Sequence, residues 1–111
     1  MRRSWMTLAL ALIAVVAVAG CSKSESQLAT EALQRGVEAH QAGSLDEAEG
    51  NYRQVLQHDP ENVDAVFDLG LVAAQRGQVQ QAENWYRLAL GYDPDYAPAL
   101  YNLGLLRSDA G

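Results

Sequence analysis

The sequence predicts an all-α chain: a solenoid of antiparallel helix pairs, about five helices in all, preceded by a cleaved signal peptide. Three observations carry that expectation. Residue character recurs every 34 positions over most of the chain. Glycines and prolines punctuate the recurrence at fixed offsets, as helix stops do. The first twenty residues form a separate greasy segment that ends at the single cysteine of the 111-residue chain.

That first segment comes first in the chain and sets the compartment. Arg2 and Arg3 form a basic start, and Trp5 to Ala19 is an uncharged, mostly apolar run of fifteen residues. Fifteen helical residues rise about 22 Å, short of the roughly 30 Å hydrocarbon core of a bilayer. The length therefore fits the apolar stretch of a signal peptide better than a permanent span. Small residues follow, and Val18-Ala19-Gly20-Cys21 resembles the lipobox of bacterial lipoproteins. The resemblance implies a diacylglycerol on the Cys21 thiol and cleavage just before it, with residues 1–20 removed. Several acyl chains together anchor stably, at about 0.8 kcal/mol per buried CH₂. Residues 21–28 then read as the lipidated cysteine and a polar tether, Ser22 to Gln27. Ser22, in place of an Asp after the cysteine, resembles the outer-membrane sort of lipoprotein. The competing readings are a signal anchor with an incidental cysteine and, less well supported by the flanking residues, a twin-arginine export signal.

The remainder repeats. Gly36 aligns with Gly70 and Gly104, Gly43 with Gly77, Ala48 with Ala82, and Tyr52-Arg53 with Tyr86-Arg87. Leu56 aligns with Leu90, and Asp59-Pro60 with Asp93-Pro94. These divide the chain into units at 29–62 and 63–96 and a partial unit at 97–111. Within each full unit, Gly43 or Gly77 ends a first helix, as a residue free to take positive φ should. Pro60 and Pro94 end the second helices. Ser44-Leu45-Asp46-Glu47 has the S-x-x-E form of a capping box. The expected helices run 27–42, 45–58, 62–76, 79–92 and 96–108. Gly70 and Ala82 are expected to be small because neighbouring helices approach there.

The period and the signature residues resemble the tetratricopeptide repeat, a helix–turn–helix unit. The second unit is the nearer match, with Leu69, Gly70, Gly77, Ala82, Tyr86, Ala89 and Pro94 in register. The first departs from the pattern at Arg35 and Val55, positions where an apolar and a small residue are usual. The resemblance implies a concave face lined by the first helix of each unit. Carried over by position, that face presents Thr30, Leu33, Val37, His40 and Gln41, then Asp64, Phe67, Leu71, Ala74 and Gln75, then Tyr101 and Leu105. Such a groove suits an apolar or amphipathic peptide. The same apolar stripe also fits packing between adjacent helices, and Trp85 reads more readily as core than as a binding residue. A carboxylate clamp, which grips acidic chain ends with Lys, Arg and Asn, is disfavoured because Lys23 is the only lysine.

Composition narrows the function classes. Without residues 1–20 the chain keeps six basic residues against fourteen acidic ones, which argues against nucleic acid as a partner. One cysteine excludes an internal disulfide and paired-cysteine zinc motifs. His40 and His58 stand apart in the sequence and imply no metal site. No nucleophile–base constellation or phosphate loop stands out, so neither an enzyme nor a cofactor is implied. Asp46, Glu47, Glu49 and Glu83 read as a solvated convex face. The last helix, "APALYNLGLLRSDAG", is apolar on more than one side. It implies a truncated array, a homodimer through this helix, or a covering partner. The expectation is a membrane-tethered adaptor that binds a protein or peptide, as tetratricopeptide lipoproteins do in pilus, secretion and outer-membrane assembly or in regulating peptidoglycan enzymes. The alternatives are a structural fragment that packs against a larger array and, less favoured, a small-ligand binder.

Overall fold

The computed structural model describes residues 22–109, and the signal-peptide and Cys21 expectations lie outside them. Five helices follow in order: α1 Glu25–Gln41, α2 Leu45–His58, α3 Val63–Gln75, α4 Val79–Tyr92 and α5 Ala97–Asp109. Each contacts its neighbour in the chain, so α1/α2 and α3/α4 form hairpins and α3 and α5 stack onto the hairpin before them. This is the expected all-α solenoid.

Helix ends explain where the boundaries fall. After α1 and α3, Gly43 and Gly77 have φ of 80° and 74°. That left-handed turn lets Gly43 N–H reach the His40 carbonyl at 3.0 Å and Ser44 N–H the Ala39 carbonyl at 2.9 Å. Gly77 and Gln78 do the same to Ala74 and Ala73. The carbonyls orphaned at each helix end are thus satisfied. The same bonds remove the capping box expected at Ser44. Its N–H is already committed to Ala39, its ψ is 75°, and its hydroxyl makes no cap bond. The reciprocal box forms instead at Ser24, whose hydroxyl accepts from Gln27 N–H while the Gln27 side chain accepts from Ser24 N–H. The first helix accordingly starts at Glu25, inside the segment read as tether. Asn62 caps α3 by accepting from Ala65 N–H at 2.9 Å.

Tyrosine on glycine organises each hairpin. Tyr52 and Tyr86 are 1% exposed. A Cβ placed on Gly36 would stand 2.5 Å from the Tyr52 ring, and one on Gly70 2.5 Å from the Tyr86 ring. Alanines continue the contact: Ala48 and Ala82 are fully buried, and Ala39 and Ala73 nearly so. The atypical first unit uses its departures. Val55 is fully buried with Ala29, Ala32 and Ala65, while Arg35 reaches across to Asn51 and Gln54 on α2. The convex acids are more engaged than expected. Arg76, at the end of α3, pairs with Asp46 and Glu49 on α2, Glu49 also holds Arg53, and Glu83 holds Arg87. The Arg76 hydrogen bond, followed by that of Arg53, keeps the Glu49 carboxyl below the usual range.

On α5 the repeat position of Gly36 and Gly70 is Gly104, and nothing lies within 4 Å of a Cβ there. The two glycines should therefore respond with opposite sign. Gly70→Ala is expected to cost about 1–3 kcal/mol by forcing the Tyr86 ring aside. Gly104→Ala is expected to gain about 0.5–1 kcal/mol, because in an open helix alanine loses less backbone entropy than glycine. Denaturant titration of the two variants checks both.

Candidate peptide-binding groove

Residues three and four apart share a helix face, and two sets of hydrogen bonds join such faces into a continuous surface. On α1 the face is Leu33, Val37 and His40. On α3 it is Asp64, Phe67, Asp68, Leu71 and Gln75. His40 joins them: Nε2 lies 2.8 Å from the Gln75 side-chain oxygen and Nδ1 3.1 Å from the Tyr52 hydroxyl. The Gln75 oxygen can only accept, so Nε2 donates to it, while Nδ1 shares a hydrogen bond with the Tyr52 hydroxyl. His40 thus ties the buried tyrosine to the groove floor and is not isolated, as its place in the sequence suggested. His58 likewise has a partner, the Glu25 carboxylate, at 2.6 Å. Among the described residues, no three His, Cys, Asp or Glu side chains stand where they could share a metal ion.

At the other edge Tyr96 closes the surface. Its hydroxyl donates to Asp64 at 2.6 Å, and its ring meets Phe67 edge-on with centroids 5.6 Å apart. Phe67 also contacts Tyr86 at 5.6 Å. Phe67, Leu33 and Leu71 are half-buried and pack against the core with one side open, whereas Val37 is 37% exposed. Tyr101 and Leu105, expected to extend the groove, are 68% and 44% exposed on α5. Tyr96, just ahead of α5, is an aromatic residue whose ring meets Phe67. Its signal in the sequence was weak, since the equivalent residue one repeat earlier is Asn62. Below Leu33 a hollow of about 460 Å³ continues past Thr30 to His58 and Asn62. Trp85 is half-buried on α4, packed against the core and also lining a hollow of about 360 Å³ with Gln81, Asn84, Leu88 and Arg53, whose guanidinium lies 5.6 Å from its ring centre.

Asp68 is the electrostatic feature of the surface. Its carboxylate makes no hydrogen bond or ion pair among the described residues. Burial pushes its pKa up to about 6; His40 opposes the rise and Asp64 adds to it. Burial, with a smaller contribution from Asp68, raises the Tyr52 phenol to about 12. Tyr96 is also pushed well above the ordinary phenol range by burial and by its bond to Asp64. The consequence for folding follows from linkage. The unfolded chain releases the Asp68 proton at lower pH than the folded chain does. Stability from this group therefore falls as pH rises between about 4 and 6 and stays lower above that window. Asp68→Asn is expected to match the parent below pH 4 and to exceed it by about 1–2 kcal/mol at pH 7. Guanidinium unfolding at the two pH values checks this.

Comparison with known proteins agrees with this geometry. The tetratricopeptide repeat family matches residues 39–107. Among solved structures, the chain is similar to an O-GlcNAc transferase mutant of Thermobaculum terrenum, with 29% identity, a TM-score of 0.71, and 77% of this chain against 16% of that one. It is similar also to the MamA protein, with 26% identity, a TM-score of 0.69, and 77% against 46%. The chain thus spans less than half the length of either. The TPR domain of Arabidopsis OM64, at 16% identity, a TM-score of 0.73 and coverage of 78% and 72%, shares the fold. Among curated proteins no sequence matches. With the family matched over more than half its length and its signature glycines and tyrosines in contact, the chain belongs to the tetratricopeptide repeat family.

Proposed function

We propose that this protein is a non-catalytic adaptor, tethered to a bacterial membrane through lipid on Cys21, that binds a partner polypeptide in the groove of α1 and α3. The observation that carries the binding role is the surface joined by His40–Gln75 and Tyr96–Asp64, with Val37 exposed on it. The tether rests on Val18-Ala19-Gly20-Cys21 and on Ser22, which favours the outer membrane and a periplasmic face. No helix among the described residues is long and apolar enough to cross a membrane. Only Ser22, Lys23 and Ser24 separate Cys21 from α1, about 10 Å of extended chain. A lipid-anchored domain would therefore sit close against the bilayer, suited to assembling or localising a complex at the envelope surface. Within that reading the work is pilus, secretion or outer-membrane assembly, with regulation of peptidoglycan enzymes a lesser alternative.

A second reading rests on α5. Leu100 and Gly104 occupy the repeat positions of Val66 and Gly70, which α4 covers, yet Leu100 is 51% exposed. That face would pair with a second copy or with a larger array. Sedimentation separates the two readings: Leu100→Glu should dissociate an assembly built on α5 and leave a groove-binding monomer unchanged.

Two measurements test the main reading. Cys21→Ser is expected to abolish incorporation of labelled palmitate and to shift the chain out of the membrane fraction; unchanged labelling and fractionation would contradict the anchor. Val37→Glu, at an exposed position, is expected to abolish capture of a partner from envelope extract while unfolding like the parent. Phe67→Glu would be the poorer probe, because Phe67 also packs on Tyr86.

A further inference from the structure

Resting on the groove reading above, we infer that the segment this groove receives is cationic: Lys or Arg side chains set among aliphatic residues. The argument is charge complementarity on a surface that is otherwise apolar. Asp64 and Asp68 lie one helical turn apart on α3 and flank Phe67. The Asp64 carboxylate takes one hydrogen bond, from Tyr96, and that of Asp68 takes none. The Asp68 carboxylate is half-buried but still open to solvent, and burial has raised its pKa. A cation brought in by a partner would pair with it at a place where the described residues offer it no donor.

Among the described residues, no basic side chain answers the two acids. Arg35 on α1 is turned to Asn51 and Gln54 of α2, and Arg76 is held by Asp46 and Glu49. On α5, Arg107 stands at the repeat position of Ala39 and Ala73, the side that mates with a hairpin partner. On α3 itself there is no basic residue. His40 is the one titratable nitrogen beside Asp68, and both its ring nitrogens are committed to Tyr52 and Gln75. A cationic segment laid along α3 would meet carboxylates at two successive turns, with Leu33, Val37 and Leu71 beside them for its aliphatic residues. An acidic segment would instead meet like charge at both, a penalty that selects against it.

The test uses the full chain in neutral detergent and three labelled peptides of one length. They share leucines at identical positions and carry Lys, Gln or Glu between them; fluorescence anisotropy reads affinity. The Lys peptide is expected to bind about tenfold or more tighter than the Glu peptide. Asp64→Asn and Asp68→Asn should each weaken the Lys peptide about fivefold more than they weaken the Gln peptide. Glu47→Gln and Glu61→Gln, at exposed acids outside the groove, should leave the Lys peptide unchanged. If these two weaken it as much as Asp68→Asn does, the attraction is general net charge and the inference is overturned. If the Lys and Gln peptides bind equally and Val37→Glu abolishes both, the groove stands and its charge preference is overturned. If no peptide binds the parent better than the Val37→Glu variant, the groove reading falls together with the inference.

Discussion

The contact on which the rest of this structure depends is a tyrosine ring laid on a helix where the side chain is a single hydrogen. Tyr52 meets Gly36 and Tyr86 meets Gly70, each at a distance that leaves no room for a methyl group. Two consequences follow. The hairpin helices come closer than any larger residue would allow, and each ring is fully withdrawn from water, the largest side chains so placed. Small residues at Ala39, Ala48, Ala73 and Ala82 extend the close approach, so each hairpin is a rigid unit that can be stacked on the next.

The groove inherits its shape from that contact. Tyr52 buries its ring under Gly36 and shares a hydrogen bond with His40, which in turn bonds Gln75 on the following unit. The same tyrosine therefore fixes a hairpin and aligns the concave faces of two units. Phe67 plays the matching part on the other side, touching Tyr86 in the core and Tyr96 at the rim. Packing and open surface are continuous here. The stacking leaves Asp68 half-buried, its carboxylate open to solvent and its pKa raised by burial.

Much of this was legible in the sequence because the repeat writes each constraint twice. Gly36 and Gly70 recur with Tyr52 and Tyr86, Gly43 and Gly77 mark the left-handed turns, and helices α2 and α4 begin and end where the punctuation placed them. What the sequence concealed was competition between local motifs. Ser44 and Ser24 both have capping-box spacing, but only Ser24 has a free N–H, because the glycine turn before Ser44 has already spent its own. Non-repeating residues were concealed as well. Tyr96 has Asn62 as its counterpart, so periodicity gave it no role, although it closes the groove. Gly104 carried the full repeat signal, yet in the structure its notch is open. A periodic pattern reports the register of a residue and not whether its partner is present.

A double-mutant cycle on Gly70 and Tyr86 tests the central claim most directly, with unfolding free energy measured for Gly70→Ala, Tyr86→Leu and the pair. If the ring seated on the glycine organises the hairpin, Gly70→Ala should cost much less once Tyr86 is leucine, a coupling of about 1 kcal/mol or more. Costs that simply add would show that Gly70 and Tyr86 stabilise the chain independently, and would contradict the account.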